Sequence, residues 1–331
     1  DNRNIAVVGK NRIVYVINLA TGRIAAIDQI GPNEDITLDW APNHRRIAYT
    51  TRNHIMLYDV LTHRAQSILE PGASEVQWFP NGRELLFQGV DNSGNQQLFR
   101  IATNGSGRKQ ITNNTEGALN EVSLSPDGTF ALYTTPGASI SLIRTVDLTS
   151  GEVYEIQGGE QAKNYYPTWS PTSQMIGFSA TAYTEETGYY NQIRVVGKRG
   201  DNERVLTTSS CFASPVTWSQ DSQTIAFLSG CTEQSFATEM WLVTIQNPEP
   251  VLLTRDSLIT NLSWSSGNFR PINRVYTNET YKVRFLYPSN WEQVNEERYE
   301  GADGFFQISA ISGGEDIHEV CRGEAFHQLM P

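Results

Sequence analysis

Histidine is scarce in this chain: His44, His54, His63, His318 and His327 are the only five in 331 residues, and none lies between 64 and 317. Most of the length therefore has no imidazole for base catalysis or metal ligation near neutral pH. The common catalytic and cofactor motifs are missing too. There is no Gly-x-Ser-x-Gly elbow, His-Glu-x-x-His pair, Cys-x-x-Cys, P-loop or dinucleotide glycine fingerprint, which argues against the hydrolase, metallopeptidase, redox and nucleotide-binding classes built on them. His318 and Cys321 sit one helical turn apart, but a structural zinc site takes four ligands, so no metal and no cofactor is expected. At 39% hydrophobic content no run approaches the 18 apolar residues of a membrane helix. Positive charge is in deficit: 25 Lys and Arg against 36 Asp and Glu leave a net charge of −11, which disfavours nucleic acid and anionic lipid as partners. The chain opens mid-pattern at Asp1, so a removed N-terminal segment is the expected source of any membrane anchoring.

What is abundant is repetition. An apolar run ending in Trp or Leu, a tight polar turn and a second apolar run recur at Trp40, Trp78, Leu124, Trp169, Trp218 and Trp264, which are 38, 46, 45, 49 and 46 residues apart. That period belongs to β-propeller blades. Seven residues after each of the first five anchors comes a short strand core: Ile47-Ala48-Tyr49, Leu85-Leu86-Phe87, Ala131-Leu132-Tyr133, Ile176-Gly177-Phe178 and Ile225-Ala226-Phe227. Pro80-Asn81-Gly82, Pro126-Asp127-Gly128 and Pro171-Thr172-Ser173 fill the gap, where Pro presets φ and Gly or Asn tolerates φ > 0, so each unit opens with a hairpin. Third strands such as His54 to Val60 and Met240 to Ile245, and fourth strands closing on Ile111-Thr112, Leu206-Thr207 or Leu253-Thr254, complete a four-stranded blade.

The sequence Trp-Ser-Pro-x-x, then Ile-Ala-Phe, then a closing Ile/Leu-Thr resembles the propeller repeats of the TolB translocation proteins over roughly residues 1 to 265. Leu124-Ser125-Pro126-Asp127-Gly128 and Trp169-Ser170-Pro171 match best, whereas Trp218-Ser219-Gln220-Asp221-Ser222 and Trp40-Ala41-Pro42-Asn43-His44 depart at the turn. The resemblance implies a propeller of the cell envelope and a partner such as a peptidoglycan-associated lipoprotein. In those proteins the small domain precedes the propeller, whereas here it follows.

The ends set the expected blade number. Ile5-Ala6-Val7, Ile13 to Asn18 and Arg23 to Ile27 read as second, third and fourth strands without a first, and Leu262-Ser263-Trp264 as a first strand without the rest. Joined, they make a composite sixth blade that closes the ring and removes two sheet edges. The expected fold is therefore an all-β six-bladed propeller over residues 1–267, followed by a small α+β domain over 268–331 that is incomplete at its C-terminus. In that second domain Tyr281 to Pro288, Trp291 to Val294 and Gly304 to Ile311 read as strands, and Glu315 to Met330 as a helix. The pattern Tyr281, Phe285, Tyr287-Pro288 and Trp291 resembles the opening of PsbP-type α/β domains over about 15 residues.

Cys211 and Cys231 lie ten residues either side of Asp221, the centre of one hairpin turn. A disulfide between them fits the expected geometry and would contribute about 3 kcal/mol through loop closure; two separate buried thiols fit as well. The bridge implies an oxidising, extracytoplasmic location. Cys321 is left over, for a partner outside this chain or as a free thiol.

In an antiparallel blade the connections between second and third strands share a face with the inter-blade loops, and here they are the long ones. Gly89 to Asn95, Asn113 to Glu121, Gln157 to Tyr166, Thr181 to Tyr190 and Cys231 to Glu239 read as loops of that face. Its acids, Glu34, Asp35, Glu70, Glu75, Asp91, Glu116, Glu121, Glu160, Glu185, Glu186, Glu233 and Asp256, outnumber Arg52, Lys163 and Arg255, which favours a partner that is cationic at the contact. Glu75 and Glu121 each stand three residues before an anchor, at equivalent points near the inner rim; Tyr165, Tyr166, Tyr189 and Tyr190 add amphipathic contact surface, with Tyr183 beside them. Rim charges also read as solvated, and these tyrosines as blade-edge packing. The reading adopted is a non-catalytic extracytoplasmic protein that docks a protein or glycan on this face. A hydrolase using Glu75 and Glu121 as acid and base, or an accessory or sensor module of a larger envelope protein, are the alternatives.

Overall fold

The computed structural model describes residues 4–31, 36–136, 141–156, 162–186, 188–209, 212–230, 239–254, 259, 261–264, 273–279, 282–288, 291–295, 297–301 and 304–308. The chain divides into two compact units, Asp1–Trp264 and Ser265–Pro331. All regular structure among the described residues is β.

In the first unit the sheet β1(Asn4–Val8), β2(Ile13–Asn18) and β3(Ile24–Gln29) has three strands. Five four-stranded antiparallel meanders follow. They are β4(Leu38–Trp40), β5(Arg46–Thr50), β6(His54–Asp59), β7(Arg64–Leu69); β8(Ser74–Trp78), β9(Glu84–Val90), β10(Gln96–Ala102), β11(Lys109–Gln110); β12(Asn120–Leu124), β13(Phe130–Pro136), β14(Ser141–Asp147), β15(Val153–Ile156); β16(Lys163–Trp169), β17(Met175–Thr184), β18(Gly188–Gly197), β19(Arg204–Ser209); and β20(Phe212–Trp218), β21(Thr224–Gly230), β22(Glu239–Thr244), β23(Val251–Thr254). Each meander is one repeat of the sequence. Residues 261–264 carry no strand, and Ile259 forms a single bridge.

The core is five layers, each wedged between consecutive sheets, and this explains the strand cores. In β5, Ile47 and Tyr49 pack towards β1–β3 whereas Ala48 packs towards β8–β11. In β9, Leu85 and Phe87 face back and Leu86 faces forward; in β13, Ala131 and Tyr133 face back and Phe130 and Leu132 forward. A strand buried on both sides loses the polar half of its alternation, so it reads as an unbroken apolar run. Gly177 breaks such a run because a Cβ there would stand 3.1 Å from the Trp218 ring. Trp78, Trp169 and Trp218 are buried in these layers.

The hairpin turns show a second regularity. Four residues after each anchor the backbone is left-handed: His44 (φ 56°), Gly82 (64°), Gly128 (70°), Ser173 (61°) and Ser222 (58°). Glycine takes that conformation without strain, and at Gly128 an added Cβ would also meet Pro80 at 2.6 Å. The serines have a compensating role: Ser173 Oγ accepts from the Asp127 N–H at 2.9 Å and Ser222 Oγ from the Thr172 N–H at 3.1 Å, tying each turn to the one before it.

The second unit contains the hairpin β24(Asn273–Asn278)–β25(Val283–Pro288) and the three-stranded meander β26(Glu292–Asn295), β27(Arg298–Gly301) and β28(Gly304–Gln307). β25, β26 and β28 fall on strands expected from sequence, while β24 and β27 are additional. Tyr276, Phe285, Tyr287, Tyr299 and Phe306 form a small aromatic core, with Trp291 stacked on Phe306 at 6.2 Å. Gly301 makes room for that indole, since a Cβ would lie 2.3 Å from Trp291 Cδ1. Gly301→Ala is expected to displace Trp291 and cost about 1–3 kcal/mol by overpacking, read as a red-shifted tryptophan emission and a lower urea midpoint. The expected helix over 315–330 and all three cysteines, Cys211, Cys231 and Cys321, lie outside the described residues.

Candidate functional site

First strands of successive sheets contact one another, β4 to β8, β8 to β12, β12 to β16 and β16 to β20. They form the inner wall of the array, and each presents a backbone edge that its own sheet does not pair. Such an edge must be satisfied or it costs free energy. Here side chains of the preceding sheet supply partners. Thr37 Oγ1 accepts from the Val76 N–H at 3.0 Å, and Asp39 Oδ2 from the Trp78 N–H at 2.6 Å. Gln77 accepts from the Leu124 N–H and donates to the Val122 carbonyl, both at 2.7 Å. At the later seams the residue before the anchor is Ser123 or Thr168, too short to reach across. The indole donates instead: Trp169 Nε1 to the Ser123 carbonyl and Trp218 Nε1 to the Thr168 carbonyl, both at 3.2 Å.

Four of these inner strands are bulged. The register shifts between Ser74 and Gln77 in β8, Asn120 and Ser123 in β12, Tyr165 and Thr168 in β16, and Ala213 and Val216 in β20. In the first three the bulge puts a large residue into left-handed backbone: Glu75 (φ 50°), Glu121 (50°) and Tyr166 (55°). Such conformations cost about 1–3 kcal/mol each for non-glycine residues and gather at functional sites. Proline at 215 cannot take a positive φ, so the series stops at β16.

The structure thus brings three of the expected binding residues, Glu75, Glu121 and Tyr166, to one repeated position on consecutive inner strands. Glu121 accepts hydrogen bonds from Thr134 Oγ1 of its own sheet at 3.2 Å and from the Tyr166 backbone of the next sheet. Desolvation of its carboxyl outweighs these bonds and raises its pKa above the ordinary carboxylate range. Tyr165 and Tyr166 are both exposed, with rings 6.1 Å apart. Tyr189 and Tyr190 lie elsewhere in the same sheet. Residues 181–190, read from sequence as a loop, are instead the tip of the β17–β18 hairpin, which extends beyond the start of β16 because Thr181 to Thr184 continue the ladder with Gly188 to Asn191. On that tip Tyr189 is 65% exposed and packs edge-on against Tyr183 at 5.0 Å, whereas Tyr190 packs against the core.

The charge of this face differs from the simple count. Glu70 is paired with Arg108 at 3.0 Å and Glu116 with Arg144 at 2.6 Å, arginines that sequence position did not assign to this face. Asp91 accepts from its own turn and from Gln97, which lowers its pKa. Glu34, Asp35, Glu160, Glu233 and Asp256 lie outside the described residues. Exposed Glu185 and Glu186 on the hairpin tip keep the face acidic there.

Sequence reasoning missed Thr37, Asp39 and Gln77. Their signal was present: the residue before each of the first five anchors is polar, Asp39, Gln77, Ser123, Thr168 and Thr217, although it neighbours a buried Trp or Leu. Asp39, Glu75, Gln77 and Trp78 line a cavity of about 540 Å³ along β4, β8 and the end of β12. Burial raises the Asp39 pKa against the hydrogen bonds from the Trp78 and Trp40 backbone.

A family model for the TolB β-propeller domain matches residues 4–221, about two thirds of the sequence. The chain belongs to that family. No curated protein matches this TolB-type propeller. Solved structures similar to it include an oligogalacturonate lyase from Vibrio parahaemolyticus, 13% identical, covering 86% of both chains with a TM-score of 0.61. Dipeptidyl peptidase 4 of Porphyromonas gingivalis is 10% identical, over 77% of this chain and 44% of that one, with a TM-score of 0.56. A putative TolB from Agrobacterium tumefaciens is 17% identical, over 72% and 86%, with a TM-score of 0.48. At these identities the likenesses to the lyase and the peptidase show the fold alone.

Proposed function

We propose that this TolB-type propeller is a non-catalytic, extracytoplasmic docking protein that holds a protein partner on the rim formed by Glu75, Glu121 and Tyr166. The observation that carries the reading is the repetition of a strained backbone under those three residues. Folding tolerates a left-handed Glu, Glu and Tyr at a position where Asn or Gly would be unstrained, which is the pattern of a surface kept for recognition. Tyr165 and the Tyr183–Tyr189 pair extend the rim with rigid amphipathic rings of the kind that anchor interfaces. Glu185 and Glu186 favour a cationic contact. Membership of the TolB-type family, and the two cysteines at 211 and 231 that flank one hairpin, support a location outside the cytoplasm. In this proposal residues 261–264 lie against the three-stranded first sheet and close six blades without adding a strand, which would hold the rim rigid.

The test is capture from an envelope extract by the wild-type chain and by the double variant Glu75→Lys/Glu121→Lys. Lysine leaves the backbone strain as it was but cannot accept the Thr134 and Tyr166 hydrogen bonds that Glu121 takes, so a loss of up to about 1–3 kcal/mol in stability is expected and capture is compared well below both melting temperatures. The captured species should fall at least about tenfold, the equivalent of roughly 1.4 kcal/mol. Equal capture by both proteins would remove the rim from consideration.

A further inference from the structure

The turn that joins β6 to β7 departs from its counterparts. Asn18 to Arg23, Asp59 to Arg64 and Asp147 to Glu152 share one plan: the first side chain accepts from backbone N–H groups within the turn, and the fifth residue is left-handed. Glycine takes that conformation without strain at Gly22 and Gly151, but the turn of the second sheet has His63 there (φ 54°). At later seams the β10–β11, β14–β15 and β18–β19 turns close directly on the preceding sheet. A Cβ on Gly105, Gly151 or Gly200 would lie 3.5 Å from Ile68, 4.0 Å from the Ile111 carbonyl oxygen and 3.3 Å from that of Glu155. At the first seam, with His63 in that place, a cavity of about 270 Å³ remains between β1–β3 and the β6–β7 turn. Its side-chain acceptors are spent and its donors are not. Asn18 Oδ1 accepts from the Thr21 N–H and hydroxyl at 3.0 and 2.9 Å, and Asn4 Oδ1 accepts from Asn18 Nδ2 at 3.1 Å. Tyr58 Oη and His63 Nδ1 are 3.0 Å apart. In either neutral tautomer this pair spends one donor on itself and keeps another, the His63 Nε2–H or the Tyr58 O–H. Among the described residues the Arg23 guanidinium has no hydrogen-bond or ion-pair partner. No Asp or Glu lines the cavity, in a chain whose net charge is −11, and Val16, Ile24, Ala25 and Val60 make the rest of its wall apolar.

We propose that this cavity binds a short aliphatic monocarboxylate. Its carboxylate meets Arg23 and the donor left over by the Tyr58–His63 pair, and its alkyl chain lies against Val16, Ile24 and Val60. One guanidinium balances one negative charge, and its fork suits two carboxylate oxygens. The volume lies below the roughly 300–1,000 Å³ of drug-sized ligand sites, so the chain is a few carbons long. Phosphate or sulfate would bring further charge with no second Lys or Arg on the wall to meet it, and would leave the apolar side unused. The β2–β3 and β6–β7 turns lie at the opposite end of the sheets from the bulges that carry Glu75 and Glu121. The site is therefore separate from the docking rim and does not depend on it.

The probe is sodium butyrate, titrated at constant ionic strength into the full chain with ¹³C-labelled isoleucine δ-methyl groups and followed by NMR, Ile24 being assigned through Ile24→Val. A saturable shift of the Ile24 methyl is expected. Butyramide, which has the same shape without the charge, should bind about tenfold or more weakly, and so should butyrate to Arg23→Gln, a loss equivalent to roughly 1.4 kcal/mol. Arg23→Gln breaks no side-chain hydrogen bond or ion pair among the described residues, so the other isoleucine signals should stay in place. His63→Gly is the second variant. It gives the turn the residue of its counterparts, which keeps the chain folded, and it should weaken binding in the same sense. Equal binding of butyramide, inorganic phosphate competing as tightly as butyrate, unaltered binding in Arg23→Gln, or no saturable shift would each overturn the proposal.

Discussion

Replacing Phe87 by alanine is expected to lower the stability of the first unit by about 3–5 kcal/mol, the range for truncating a buried aromatic in a packed core. Phe87 is fully buried in the layer between the second and third sheets and stacks on Phe99 at 5.5 Å with 21° between the rings. The layer has little means of collapsing into the space. β9 is held on one side by β8 and on the other by β10, and Gly89 lies close beside both rings, where a Cβ would stand 3.1 Å from Phe99 and 3.2 Å from Phe87. Phe87→Leu keeps the layer apolar and part of the volume, so its cost should be clearly smaller. Urea denaturation of both variants gives the comparison. A change under about 1 kcal/mol in Phe87→Ala would mean that these layers repack freely, contrary to the interlocking described above.

The second large effect is expected at Asp39. Its carboxylate accepts from the Trp78 N–H at 2.6 Å, joining the inner strands of two sheets. Asp39→Ala leaves that N–H without its acceptor and should cost about 1–3 kcal/mol. Asp39→Asn keeps an acceptor and removes the desolvated charge, so it should cost much less at neutral pH. The pH dependence separates these contributions. Burial raises the Asp39 pKa in the folded state above its unfolded value. Between the two values the folded chain binds more protons than the unfolded one, so stability falls as pH rises through that window and the penalty is complete above the folded pKa. The wild-type minus Asp39→Asn difference in unfolding free energy should therefore decline from acid towards neutral pH and then level off. A difference that stays flat would show that the hydrogen bonds balance the desolvation, and one that rises with pH that they outweigh it. Glu121, whose carboxyl is raised for the same reason, should show a slope of the same sign when replaced by Gln.

How much of this was legible in advance depends on the range of the interaction. The repeat, the hairpin after each anchor and the strand cores were legible because they rest on local patterning. A Pro and a φ-tolerant residue mark the turn, and a strand buried on both sides has to be apolar at every position, as Leu85-Leu86-Phe87 is. The left-handed turn position was legible at Gly82 and Gly128 but not at Ser173 and Ser222, where the hydroxyl is used for a bond to the turn of another blade. The extent of the β17–β18 hairpin was misjudged for a related reason: Thr, Tyr and Gly near its tip suit a loop or a strand equally, and the ladder between them decides.

Charge was the least legible property. Glu70 and Glu116 were assigned to an open acidic face, yet Arg108, just before β11, and Arg144 in β14 approach them from directions that no local pattern states. The candidate site shows the same division. Position three residues before an anchor identified Glu75 and Glu121, but the bulge that strains them and adds Tyr166 arises from pairing with β9, β13 and β17.

By itself the sequence determined a propeller of antiparallel blades, since an apolar period of this length, interrupted by tight turns, can bury its strands only by stacking sheet on sheet. Tertiary structure decided which polar groups serve that stacking. The inner strands expose a backbone edge that side chains from another blade must satisfy, and whether Asp39, Gln77 or an indole does so is settled by reach across a seam. At the seam between β4 and β8 a carboxylate does so, and that choice is written in distances between residues nearly 40 positions apart.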